Sequence, residues 1–273
     1  MRKIYSMAVL VGIFAFVFFL YDTQIRQASA FVPSDVSGLV EWLDASQITG
    51  KADGDSVATW TDASGNGYDA TAVGGSPTYQ TNILNGRPVL RFVAASSQKM
   101  RAHPTVNTPY TLFVVARLNG GSNGRILGSI YPNNQNYLCG WWNGFENTMY
   151  GEGFVRGGSD SATTNWHQYT CKGTGSLTTF YDYGVSLASN NSGVAGLNSG
   201  LALGGYDPTG DQELSNFDIA EVIIYNVALS DSDRAAVEAY LYNKYFVAPV
   251  VVSDPPGSVH VQGGVRLQGG RLQ

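Results

Sequence analysis

The residues of this chain best suited to chemistry are aromatic rings, amides and carboxylates. Between Tyr131 and Phe154 lie Tyr137, Trp141, Trp142, Phe145 and Tyr150, interleaved with Asn133, Asn134, Asn136, Asn143 and Asn147. Sugars present apolar C–H faces and hydroxyl edges, which flat rings and amides complement. Along a strand, Tyr137, Cys139 and Trp141 share one face while Leu138, Gly140 and Trp142 share the other. One indole then belongs to a core and the other to a surface. Tyr137, Trp141, Trp142 and Asn143 are the candidate carbohydrate contacts, with Trp142 preferred; the competing reading buries both indoles. Asp62, Asn66 and Asp69 cluster in a Gly-rich loop and offer the oxygens that calcium takes. The competing reading has Asp62 and Asn66 cap turns through their own backbone. A looser acidic set, Asp207, Asp211 and Glu213, reads as a solvated loop. His103, His167 and His260 lack metal-ligand spacing, and no G-x-S-x-G elbow is present.

Short strands must position these groups. Val36–Leu43, Ser56–Trp60, Arg87–Val93 and Tyr110–Leu118 alternate or run apolar, and Gly65-Asn66-Gly67 is a turn. Further strands are expected near 137–142, 149–156, 167–172, 177–183 and 200–204, and over Ile219–Tyr225. Their spacing indicates a sandwich. One helix follows: Ser230 is an N-cap, Asp231 and Asp233 suit the first turn, and Val237, Leu241 and Tyr245 form an apolar face with Tyr240 beside them.

The segments W-T-D-A-S-G-N-G-Y-D-A-T (Trp60–Thr71) and F-D-I-A-E-V-I-I-Y-N-V-A-L-S-D-S-D-R (Phe217–Arg234) bracket the strands. With W-H-Q-Y-T-C and T-F-Y-D-Y-G-V at mid-chain, they resemble the laminin G-like, concanavalin A-like jelly-roll family. The resemblance implies an all-β, two-sheet antiparallel jelly-roll sandwich with one short C-terminal helix. It also implies a structural calcium near Asp62, with Glu221 of the I-A-E-V strand joining Asp62, Asn66 and Asp69. Family 16 glycoside hydrolases of this fold carry E-x-D-x-x-E on one strand, which is missing here; Asp218-Ile219-Ala220-Glu221 has the wrong spacing. Trp60, Trp166 and Tyr225 fall at motif positions that read as core, and His167 reads as packing. The family's Y-x-D-G turn here is Tyr181-Asp182-Tyr183-Gly184, and the extra residue suggests a bulge. Asn190-Asn191-Ser192 matches a glycosylation acceptor.

Residues 1–30 combine Arg2 and Lys3, an apolar run over Met7–Tyr21 and Ala28-Ser29-Ala30. They read as a cleaved export signal or as an uncleaved membrane anchor. They hold three of the 16 basic side chains and one of the 21 acidic ones, which leaves 13 against 20 and a net charge of −7. No basic stripe is present, so nucleic acid is excluded as a partner. The domain spans 31–248. The tail, 249–273, is a linker and a degenerate repeat (V-H-V-Q-G-G, V-R-L-Q-G-G, R-L-Q), either flexible or able to add strands to a neighbour's edge. Cys139 and Cys171 leave two readings open. An oxidising compartment favours a disulfide. A simple meander would separate them by two strand spacings, roughly 9–10 Å, beyond the reach of a bridge.

The sequence therefore points to an exported or cell-surface, non-catalytic module that binds an extracellular glycan or protein. Membrane contact would come only through an uncleaved N-terminal segment. The alternatives are a polysaccharide-degrading enzyme with a diverged site and a structural subunit of a surface assembly.

Overall fold

The computed structural model describes residues 31–130, 136–206, 212–248, 259–261 and 265–267. The N-terminal segment, Tyr131, Asn133, Asn134, Asp207 and Asp211 lie outside these. Among the described residues, no helix is long and apolar enough to cross a membrane.

Two antiparallel sheets form a sandwich, with strands numbered in chain order. The first sheet holds β1 (Leu39–Asp44), β4 (Thr78–Leu84), β5 (Arg87–Phe92), β7 (Tyr110–Asn123), β13 (His167–Gly173), β14 (Thr178–Asp182), β15 (Val185–Asn190) and β17 (Ser215–Tyr225). The second holds β2 (Thr59–Trp60), β3 (Ala70–Ala72), β6 (Met100–Ala102), β8 (Leu127–Ser129), β9 (Tyr137–Trp142), β10 (Phe145–Gly151), β11 (Phe154–Arg156), β12 (Asp160–Ser161) and β16 (Leu201–Leu203). The all-β sandwich expectation holds.

The central strand β7 shows why a continuous apolar run was needed. Its Leu112, Val114 and Ala116 face the second sheet, while Phe113 and Val115 face outward. The outward face is covered by α1 (Asp231–Tyr245), whose Val237, Leu241 and Tyr245 are buried against it. The helix begins where expected, with the Ser230 hydroxyl accepting the Asp233 N–H at 3.1 Å. The central strands of the first sheet, β7 and β17, are therefore buried on both faces. The β14–β15 hairpin does carry an irregularity, but away from the turn: Asp182 pairs with Val185 around Tyr183-Gly184, and the register shifts between Phe180 and Tyr181, opposite Leu187.

The simple meander is corrected. β9 pairs with β10, but β13 lies in the other sheet, between β7 and β14. The chain crosses the sandwich between Ser161 and His167, and this places Cys139 and Cys171 on facing sheets. In the tail, β18 (Val259–Val261) and β19 (Val265–Leu267) pair with each other, Val259 opposite Leu267.

Candidate functional site

β9 sorts the aromatic stretch as period-two geometry requires. Tyr137, Cys139 and Trp141 point into the core and are fully buried. Tyr137 and Trp141 are thereby removed as ligand contacts; Trp141 instead packs edge-on against Tyr169 and His167. Trp142 emerges half-buried on the outer face of the second sheet. Its neighbours follow from strand register: Leu138 pairs with Tyr150 of β10, and Tyr150 pairs with Phe154 of β11. Phe154 is 41% exposed, and its ring centroid lies 5.7 Å from the Trp142 ring and 4.9 Å from that of Tyr150. Asn143 is exposed in the β9–β10 turn, with Gly144 after it; both have positive φ, as an Asn-Gly hairpin turn requires.

The indole is held from beneath. Its N–H donates to Glu213 Oε1 at 3.2 Å, and the other Glu213 oxygen pairs with Arg125 at 2.9 Å. Arg125 is buried, runs across Gly128, and sits 4.7 Å from the Tyr206 ring. It also donates to Asn136 Oδ1 at 2.7 Å. Glu152, nearby, accepts the Asn136 backbone N–H. The sequence reading missed Glu213 and Arg125 as anchors, since they lie 71 and 17 positions from Trp142 with no shared motif. A second exposed aromatic group lies on the other sheet, where Tyr183, Tyr242 and Phe246 pack around the β14–β15 turn and α1.

The four calcium candidates do not converge. Asp62 Oδ1 accepts the backbone N–H groups of Trp42 and Ser64, and Oδ2 accepts the Ser64 hydroxyl and the Tyr68 N–H. Asp69 accepts the Asp62 N–H at 2.8 Å. The Asn66 amide donates to the Leu39 and Val40 carbonyls. Asp62 and Asn66 tie the loop to β1, and Asp69 braces the loop from within. Glu221 points to the helix side, where it accepts from Trp42 Nε1 (2.6 Å), Tyr240, Tyr245 and Lys244. Burial, then the nearby Asp44 charge, raises its pKa, against the lowering effect of Lys244. Among the described residues, no group of three His, Cys, Asp or Glu side chains gathers as metal ligands.

Four other expectations meet the structure here. Trp60 and Tyr225 are core, while Trp166 is half-buried with Arg117 4.9 Å above its ring. His167 is more than packing: Nδ1 lies 2.9 Å from Asp182 and Nε2 lies 3.4 Å from Glu146, a carboxylate on the opposite sheet. The Asn190 amide donates to the Phe154 and Val155 carbonyls, stapling β15 to β11, so a glycan there would break the staple. Cys139 and Cys171 are buried free thiols.

No family's sequence model matches this chain, and no curated protein sequence matches it. Among solved structures it is similar to domain 4 of AbnA, a GH43 extracellular arabinanase from Geobacillus stearothermophilus, in complex with arabinotriose. That likeness has a TM-score of 0.54 and 16% identity, and covers 71% of this chain and 95% of that one. It is also similar to the binding domain of Paraclostridial Mosquitocidal Protein 1, with a TM-score of 0.50 and 14% identity. There it covers 78% of this chain but 54% of the other, about half its length. At such identities the likeness shows a shared β-sandwich fold, and the laminin G-like resemblance stands at that level.

Proposed function

We propose that this chain is an exported, non-catalytic carbohydrate-binding domain that holds a saccharide against Trp142, Tyr150 and Phe154. The observation that carries the reading is the Trp142 indole, half-buried on an outer sheet face and fixed by Glu213 beside the exposed Phe154 ring. Fixing the rings in advance lowers the ordering cost of binding. The ring faces take the apolar side of a sugar, and Asn143 at the rim takes hydroxyls. A domain of similar fold that was solved with arabinotriose supports this class of ligand. The carboxylates at the patch support a binding role over a catalytic one: both Glu213 oxygens are engaged, and Glu152 is tied to Asn136.

The test is a glycan array, with arabinotriose included, probed with the wild type, Trp142→Ala and Tyr242→Ala. Selective binding that falls at least tenfold in Trp142→Ala and persists in Tyr242→Ala is expected. Loss in Tyr242→Ala alone would move the site to the helix side, and a blank array for the wild type would remove the carbohydrate reading.

A further inference from the structure

We propose that Cys139 and Cys171, which stand here as thiols, close on oxidation into a disulfide that bolts the two sheets together directly behind the Trp142 patch. The two residues sit on the inner faces of β9 and β13, fully buried, and Cys171 Sγ lies 3.3 Å from Sδ of Met149, the residue paired with Cys139 across β9 and β10. Packed sheets ordinarily lie about 10 Å apart, which is too far for a bridge. Here some Cα atoms of β9 and β13 approach within 8 Å of each other. The cause is Gly140, next to Cys139: a Cβ there would lie 2.6 Å from the Tyr169 ring of β13. The missing side chain lets Tyr169 settle onto the β9 backbone, and that contact pinches the sandwich where the cysteines face. The alternative is that the pair serves as two small hydrophobes, with Cys171 Sγ packed 3.3 Å from Met149 Sδ.

The chemistry must precede closure of the core. Burial raises the Cys139 thiol well above its ordinary range, and the thiolate is the reacting species. The folded, reduced chain is therefore inert, and the bond forms during folding. One cysteine thiolate attacks a low-molecular-weight disulfide such as oxidised glutathione and expels one glutathione thiolate. The second cysteine then displaces the other glutathione from the mixed disulfide. Two protein thiols lose two protons and two electrons, which end on two molecules of reduced glutathione.

The test unfolds and reduces the full chain, then refolds it in a mixture of reduced and oxidised glutathione. Thiols are counted under denaturing conditions, alongside intact mass. The proposal expects no titratable thiol, a mass two hydrogens lighter than the reduced chain, and a Tm that drops by about 10 °C on reduction. Cys139→Ala should keep one thiol and melt at the same temperature with and without reductant. Two free thiols after refolding, a glutathione adduct in place of the bridge, or a wild-type Tm indifferent to reductant would each overturn it. None of these readouts depends on whether the domain binds a sugar.

Discussion

Replacing Glu41 by leucine should stabilise this protein, and by more as the pH rises. β1 alternates so that Glu41 falls on the same side as core residue Leu43; Glu41 is fully buried and neither of its carboxylate oxygens has a partner. Burial, and then the Asp62 charge, raises its pKa well above the ordinary carboxylate range. The native state thus keeps a proton that the unfolded chain releases. Its contribution to stability is complete below the unfolded pKa and is lost as pH rises toward the folded one. Each pH unit in that window costs about 1.4 kcal/mol. Below the window, only the desolvation of a neutral, unbonded carboxyl remains, about 1–3 kcal/mol. Leucine has a similar volume and no polar atoms, so Glu41→Leu should gain about 1–3 kcal/mol at pH 4 and more at pH 7. Urea unfolding at pH 4, 5.5 and 7 measures this directly. A gap between the two proteins that does not widen with pH would refute the protonation argument. A Glu41→Leu protein less stable at every pH would mean that the carboxylate has a favourable partner. A cation between Glu41 and Asp62 would then be the first one to seek.

Three further outcomes follow from the contacts. Asp62→Ala strips the acceptor from three backbone N–H groups and one hydroxyl, so it should cost about 3 kcal/mol. The wild-type Tm should not move in chelator, and a drop of several degrees would contradict the hydrogen-bond account of that loop. Lys244→Met leaves the buried Asp44 and Glu221 carboxylates facing each other without their shared cation, both now 2.7 Å from its ammonium. It should cost about 3–5 kcal/mol by thermal or denaturant unfolding, and a neutral result would show the triad to be dispensable. Ser230→Ala removes the helix cap and should lower stability by about 1 kcal/mol, with the helix itself retained in circular dichroism.

What the sequence made legible was whatever depends on local period. Alternation along 137–142 is enough to send Trp141 inward and Trp142 outward, and the β9 limits match to the residue. The Ser230 cap and the Val237, Leu241, Tyr245 stripe needed only helical spacing. Long-range pairing was not legible. Nothing in the residues between 156 and 167 announces that the chain changes sheets, yet that crossing decides which strands face Cys139. The edge strand β15 was missed because V-S-L-A-S-N is mostly exposed and only weakly alternating. Asp62 had two chemically sound readings, cation ligand and turn-former. In the structure its four donors, three from Ser64 and Tyr68 near in sequence and one from Trp42 of β1, hold it as a turn-former.

The same crossing explains why the site has the form it does. A binding ring must be exposed to meet a ligand yet rigid enough that ordering it does not consume the binding energy. Trp142 gets its rigidity from two directions that sequence distance conceals. Glu213, just before β17, reaches its indole N–H, and Arg125, just before β8, neutralises Glu213 in turn. Behind it, Tyr169 of the opposite sheet presses on Gly140, in the strand segment that carries it. Loss of the Glu213 anchor should therefore loosen the ring without unfolding the domain, because Trp142 lies outside the core that Trp141 fills. Glu213→Ala should weaken saccharide binding less than Trp142→Ala does, while raising the mobility of the Trp142 indole in nuclear magnetic relaxation. Equal losses of affinity would instead mean that Glu213 touches the sugar itself.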